Sequence, residues 1–178
     1  ATIIGYPGYA SGANARYSTD LFSIYGAVVD GFYSGDNDPE SFSGEAQFKL
    51  FPVEGLTLQA GYATEEFEET LDEEGAVADA AYDKGILNFW AEYKTGGLTL
   101  AAEYNELYEI QGKGSDGDGY LVMANYDFGA PAITLRHSNA GLDNGYEDTE
   151  FTISPSYQVT ANLLAIAEYR HDDLGDAG

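Results

Sequence analysis

Apolar and polar residues alternate along most of this chain with a period of two. Between Phe42 and Leu50, the residues Phe42, Gly44, Ala46, Phe48 and Leu50 fall on one side, with Ser43, Glu45, Gln47 and Lys49 on the other. Beyond Pro52-Val53-Glu54-Gly55, Leu56, Leu58, Ala60 and Tyr62 oppose Thr57, Gln59 and Gly61. Successive side chains leave a pleated backbone on opposite faces, so this period predicts strands. Ten are predicted, over residues 12–18, 21–33, 42–51, 56–65, 85–94, 98–106, 119–128, 131–138, 150–158 and 162–171.

The predicted connections alternate between short and long. Ser18-Thr19-Asp20, Pro52 to Gly55, Thr95-Gly96-Gly97, Gly129-Ala130-Pro131 and Val159-Thr160-Ala161 are short, and Gly and Pro suit them to tight turns. Ser34 to Ser41, Glu66 to Lys84, Leu107 to Asp118 and Asn139 to Thr149 are long. A soluble β-sandwich offers no reason for this alternation. An antiparallel up-and-down transmembrane β-barrel does, with tight periplasmic turns at one end and long external loops at the other. The fold class is therefore all-β. Both ends of the strand count fall on the long-loop side, which predicts one barrel domain over 1–178 that is part of a larger barrel, with strands missing at both ends. A closed ten-stranded barrel is the alternative.

Individual strands depart from the pattern. The 21–33 segment, with Val28-Val29, alternates poorly. Pro155 lacks a ladder donor, which predicts a bulge or break beside it. In the last strand Glu168 and Arg170 share a parity with Leu164 and Ile166, so two apolar residues are expected on the polar side.

Charge narrows the partners. Seven Lys plus Arg against 31 Asp plus Glu give a net charge of −24, which excludes nucleic acid as an expected ligand. Fifteen Tyr and nine Phe oppose disorder and suit the aromatic girdles of a barrel. Without cysteine there is no disulfide, thiolate metal site or cysteine nucleophile. No apolar run is long enough for a membrane-spanning helix, and Ala1-Thr2-Ile3-Ile4 shows no basic leader.

Strand parity puts a mixed set of charges on the polar face. Glu45, Lys49, Glu92, Lys94, Glu103, Asp127, Arg136, Glu168 and Arg170 are the expected pore-lining residues, with Arg16 beside them. Opposed charges in a lumen orient water and filter ions; the plainer reading is solvated or mutually paired side chains. Glu65, Glu66, Glu68, Glu69, Asp72, Glu73, Glu74, Asp79 and Asp83 crowd the second long connection, as an inward constriction, a divalent-cation site beside lipopolysaccharide, or simply a solvated loop. Asp116-Gly117-Asp118-Gly119 and Asp36-Asn37-Asp38 are fragments of calcium loops without the full spacing or closing Glu. His137 and His171 stand alone, His137 on the apolar side, and Gly5, Gly8 and Gly12 precede no helix. No enzyme, cofactor or metal is expected.

Val28-Val29-Asp30-Gly31-Phe32 resembles the Val-Val-Asn-Gly-Trp strand end of the second family of bacterial outer-membrane β-barrel porins. Ala167-Glu168-Tyr169-Arg170-His171-Asp172 is similar to that family's late Glu-Tyr-Arg-x-Asp strand, and Gly12-Ala13-Asn14-Ala15-Arg16-Tyr17 matches more loosely. Asp30 stands where the family has Asn, and the family's terminal aromatic strand is missing. The resemblance implies passive transport of small solutes or ions through the outer membrane of a Gram-negative bacterium, and carries over no catalytic residues. Outer-membrane lipid and lipopolysaccharide are then the surroundings, with a homo-oligomer or a larger envelope complex left open. Two other readings compete: a structural or adhesive outer-membrane barrel whose acidic loops bind partners, and a soluble all-β protein from a salt-rich habitat.

Overall fold

The computed structural model describes residues 11–31, 43–67, 70–71, 77–79, 81–110, 112–143 and 145–175. Among them there is no helix. The strands are β1 (Gly12–Ser18), β2 (Phe22–Val29), β3 (Ser43–Leu50), β4 (Leu56–Phe67), β5 (Thr70–Leu71), β6 (Val77–Asp79) and β7 (Tyr82–Thr95). They continue as β8 (Leu98–Tyr108), β9 (Gly117–Asp127), β10 (Pro131–Leu142), β11 (Glu147–Thr160), β12 (Leu163–Ile166) and β13 (Tyr169–Leu174). One 11-stranded sheet runs β1-β2-β3-β4-β7-β8-β9-β10-β11-β12, with β13 also paired to β11, and β5 and β6 form a separate pair. Every pairing between named strands is antiparallel, and the main sheet follows chain order, with β4 passing over the separate β5–β6 pair to β7 and with β12 and β13 sharing β11, the up-and-down order that alternating turns demand. Among the described residues the sheet does not close on itself, as befits part of a barrel.

The tight turns follow from local chemistry. Thr19 Oγ1 accepts the N–H groups of Leu21 at 3.2 Å and Phe22 at 3.0 Å, closing the first turn. Gly55 has φ +80°, and a Cβ there would run into the Lys94 carbonyl oxygen, so only glycine fits. The two-residue Gly96-Gly97 loop has φ +55° at its first position, the dihedral that matches a hairpin to the right-handed twist of its strands.

Several expected boundaries move. β4 and β7 extend through Glu65–Phe67 and from Tyr82, so Glu65, Glu66 and Asp83 belong to strands and not to a loop. The connection expected over 139–149 shrinks to a turn after Leu142, where Leu142 N–H donates to the Tyr146 carbonyl at 2.8 Å. Asn139 bridges the extended hairpin, donating to Glu147 and Thr149 at 2.9 Å each. Backbone pairing thus outlasts the apolar alternation, because strands that rise beyond an apolar band keep their ladder with polar side chains. The β5–β6 pair inside the acidic connection was equally silent, having no alternation of its own. The side chains of Glu68, Glu69, Asp72, Glu73, Glu74 and Asp79, the Asp36-Asn37-Asp38 fragment and residues 1–10, with Gly5 and Gly8, lie outside the described residues.

Candidate functional site: the polar face of the sheet

Residues opposite one another in an antiparallel pair share a face, so register sorts every strand. Ile24, Phe48, Ala60, Phe89, Tyr104 and Tyr120 form one continuous row across six strands. The same face carries Leu58, Leu100, Val122, Leu135 and Phe151, all largely exposed. Tyr17, Tyr93, Tyr126 and Tyr157 stand beside the tight turns, and Tyr62, Tyr104 and Tyr120 sit further toward the long connections. His137 joins this apolar face opposite Val122 and Phe151, and its Nε2 lies 3.2 Å from the Tyr120 hydroxyl. The expected outward residues Phe48, Leu58, Phe89, Leu100, Val122 and Phe151 therefore share one face, and Glu45, Gln59, Asn88, Glu103, Asn125 and Ser154 share the other.

Burial is inverted relative to a water-soluble sheet. On β11, Phe151 is 43% exposed while its neighbours Glu150 and Thr152 are 5% and 3% exposed. Ser23, Ala27, Ser43, Ala63, Glu65, Ala101 and Leu107 are buried too, and all lie on the polar face. Side chains crowd on the concave side of a curved sheet and splay on the convex side, so the polar face is the inner one.

Eight of the nine expected site residues, all but Glu168, lie on this inner face by register, but they are not one cluster. Lys94 and Glu92 pair along β7 at 2.8 Å. Lys49 stands between Ser23 and Gln59, and Glu45 between Ala27 and Ala63. Asp127 is spent on its turn, accepting the Gly129 N–H at 2.6 Å. Glu168 falls in the gap between β12 and β13. Arg16 sits over the Tyr25 ring at 5.0 Å. Asp116 caps a turn, accepting the Glu109 N–H at 2.9 Å, while Asp118 enters β9 on the outer face.

Two networks do assemble. Arg136 and Arg170 flank Thr152 in one cross-strand row, and both reach Glu150. Arg136 donates to Glu150 Oε1 through Nε at 3.1 Å and through Nη2, and Arg170 Nη2 lies 3.2 Å from Oε2. Thr152 donates to the same carboxylate at 2.8 Å, and Asp172 accepts from Arg170 Nε at 2.6 Å. The second network spans β4, β7 and β8. Gln59 donates to Asn88 Oδ1 at 3.3 Å, and Asn88 Nδ2 donates to Glu103 Oε1 at 2.7 Å and Asn105 Oδ1 at 2.8 Å. Asn105 Nδ2 adds a bond to Glu103 Oε1 at 3.2 Å.

Glu150, the centre of the first network, was missed by sequence reasoning. Its parity with Thr152 and Ser154 was legible, but its position between two arginines exists only once β10 and β13 take their register against β11. Asn105 was missed for the same reason.

A chain with this architecture has relatives. Residues 4–177 match the model of the beta-barrel porin-2, OmpL-like family. A porin refined at 1.8 Å resolution superposes with a TM-score of 0.72 at 16% identity, over 94% of this chain and 57% of that one. OmpT, an outer membrane protein of Vibrio cholerae in its trimer form, gives 0.65 at 15% identity, over 92% and 54%. The chain thus spans just over half the length of these two proteins. No curated protein matches it.

Proposed function

This chain belongs to the beta-barrel porin-2, OmpL-like family, and we propose on that footing that it forms the wall of a water-filled channel for passive diffusion of small solutes or ions. The outer membrane of a Gram-negative bacterium is the setting. One observation carries the reading: an apolar band, exposed on strand after strand, backs a concave face rich in charge and amide. Exposed apolar area of this extent is untenable in water but is what the lipid side of a barrel requires. The inner face then lines the lumen, where Glu45, Lys49, Glu92, Lys94, Glu103, Asp127, Arg136, Glu168 and Arg170 meet water and ions.

Small residues keep that lumen open. Thr57, Gly61, Thr99, Ser154 and Ser156 all point inward, so the concavity is not filled as in a packed small barrel. The channel serves by geometry and field; no catalytic step is needed.

Reconstitution of the protein in planar lipid bilayers tests the proposal. Discrete, ohmic conductance steps are the expected result. A protein that inserts without conducting ions would leave a structural barrel and end the channel reading.

A further inference from the structure

We infer that the inner face carries a subsite for a neutral polyhydroxylated solute, a sugar or polyol, built from Trp90, Gln59, Asn88, Glu103 and Asn105. The inference rests on the channel reading and names the class of solute that the channel wall would recognise.

Register places Gln59, Trp90 and Glu103 side by side in one row across β4, β7 and β8. Asn88 and Asn105 follow in the next row, beside Gly61. Gly61 has no atom nearer than 3.7 Å to the site of an added Cβ, so the floor next to the Asn pair is low. An aromatic ring is thus framed on both sides by groups that bond to a shared asparagine.

The hydrogen-bond inventory selects the ligand. Asn88 Nδ2 spends both protons inside the network, on Glu103 and Asn105. Asn105 Nδ2 and Gln59 Nε2 each spend one of two. Glu103 Oε2 and Gln59 Oε1 accept nothing from the described residues, since the bonds to Glu103 converge on Oε1. Spare donors and spare acceptors therefore occur together in the two rows that hold Trp90 and Asn88. A hydroxyl group is both donor and acceptor and matches that mixture. A sugar also has an apolar C–H face that suits an aromatic ring, and binding sites combine such apolar platforms with a few fixed polar groups.

An organic cation is the competing ligand, drawn by Trp90 and Glu103. It would use the acceptors but leave both spare donors facing it. Lys49, next to Gln59 in the same row, would also repel it. The network is internally bonded before any solute arrives, so little ordering is needed on binding.

Trp90 is the only tryptophan of the chain, which makes it the reporter. Maltose titrated into the detergent-refolded protein should produce a saturable change in Trp90 emission, and choline chloride should not. In bilayers, maltotriose should cause transient blocks of the open channel. Trp90→Ala should remove the blocks, while Trp90→Phe keeps them. Asn88→Ala should weaken the emission midpoint about tenfold through loss of the fixed bonds; Gln59→Ala, at the network's outer end, is the second variant should Asn88→Ala not fold. Conductance without sugar-dependent emission or block would overturn the subsite and leave the channel standing. An equal response to choline would overturn it in favour of a cation site. Absence of conductance with a retained emission response would overturn the channel alone.

Discussion

Pro155 and Ala167 face each other across the last strand pair, and the ladder between them is half made. Ala167 N–H donates to the Pro155 carbonyl at 3.1 Å, but proline has no N–H to return to Ala167. In an antiparallel pair a residue's N–H and C=O point to the same neighbour, so the missing donor falls on the final strand and leaves β10 untouched. That strand breaks at this point into β12 and β13, separated by Ala167 and Glu168. Pro155→Val should join the two pieces. The expected readout is slowed hydrogen exchange at Ile153 and Tyr169, together with a higher thermal midpoint. Unchanged exchange at these amides would mean that Glu168, and not the proline, holds the gap open.

Glu150 is clamped between Arg136 and Arg170 with its side chain only 7% exposed, while the arginines are 26% and 47% exposed. Glu150→Gln removes one negative charge and leaves both guanidiniums without their shared carboxylate. Because the arginines remain partly hydrated, the stability cost should be about 1–2 kcal/mol and not that of a fully buried pair. Reversal potential across a salt gradient should move toward anions. A shift toward cations would show that the arginines do not reach the conducting path.

The two faces should tolerate charge unequally. Val122 lies midway along β9 on the exposed apolar face, and Asn125 lies on the inner face. Val122→Arg should cost about 2–4 kcal/mol near the bilayer midplane, measured by equilibrium unfolding in lipid vesicles. Asn125→Arg, facing water, should stay below about 1 kcal/mol. A reversal of that order would exchange lipid side and lumen for every strand of the main sheet, since register couples them.

The acidic connection between β4 and β7 should favour cations at the mouth. Exposed charges act over about 8 Å at physiological salt, so the preference should fade as ionic strength rises. Lys49, Lys94, Arg136 and Arg170 offset the acids within, which keeps the preference modest. Replacing Glu68, Glu69, Asp72, Glu73 and Glu74 with Gln or Asn should reduce it at low salt. No change in reversal potential there, or anion selectivity in the parent, would defeat the idea.

Alternation along each strand determines, by the sequence alone, that these residues form strands and which side chains share a face. The reason is local: a pleated backbone sends successive side chains to opposite sides whatever lies next to it. The same local rule showed where Pro155 would interrupt a ladder, and why Leu164 and Ile166 share the inner face with Arg170. Turn chemistry at Thr19, Gly55 and Gly96 likewise acts within a few residues. Tertiary structure decided what depends on register between strands distant along the chain. Arg136 and Arg170 meet Glu150, and Gln59, Asn88, Glu103 and Asn105 meet around Trp90, only because of how far each strand slides against its neighbour. It also decided how far the strands rise past the apolar band, since backbone hydrogen bonds there need no apolar pattern to mark them.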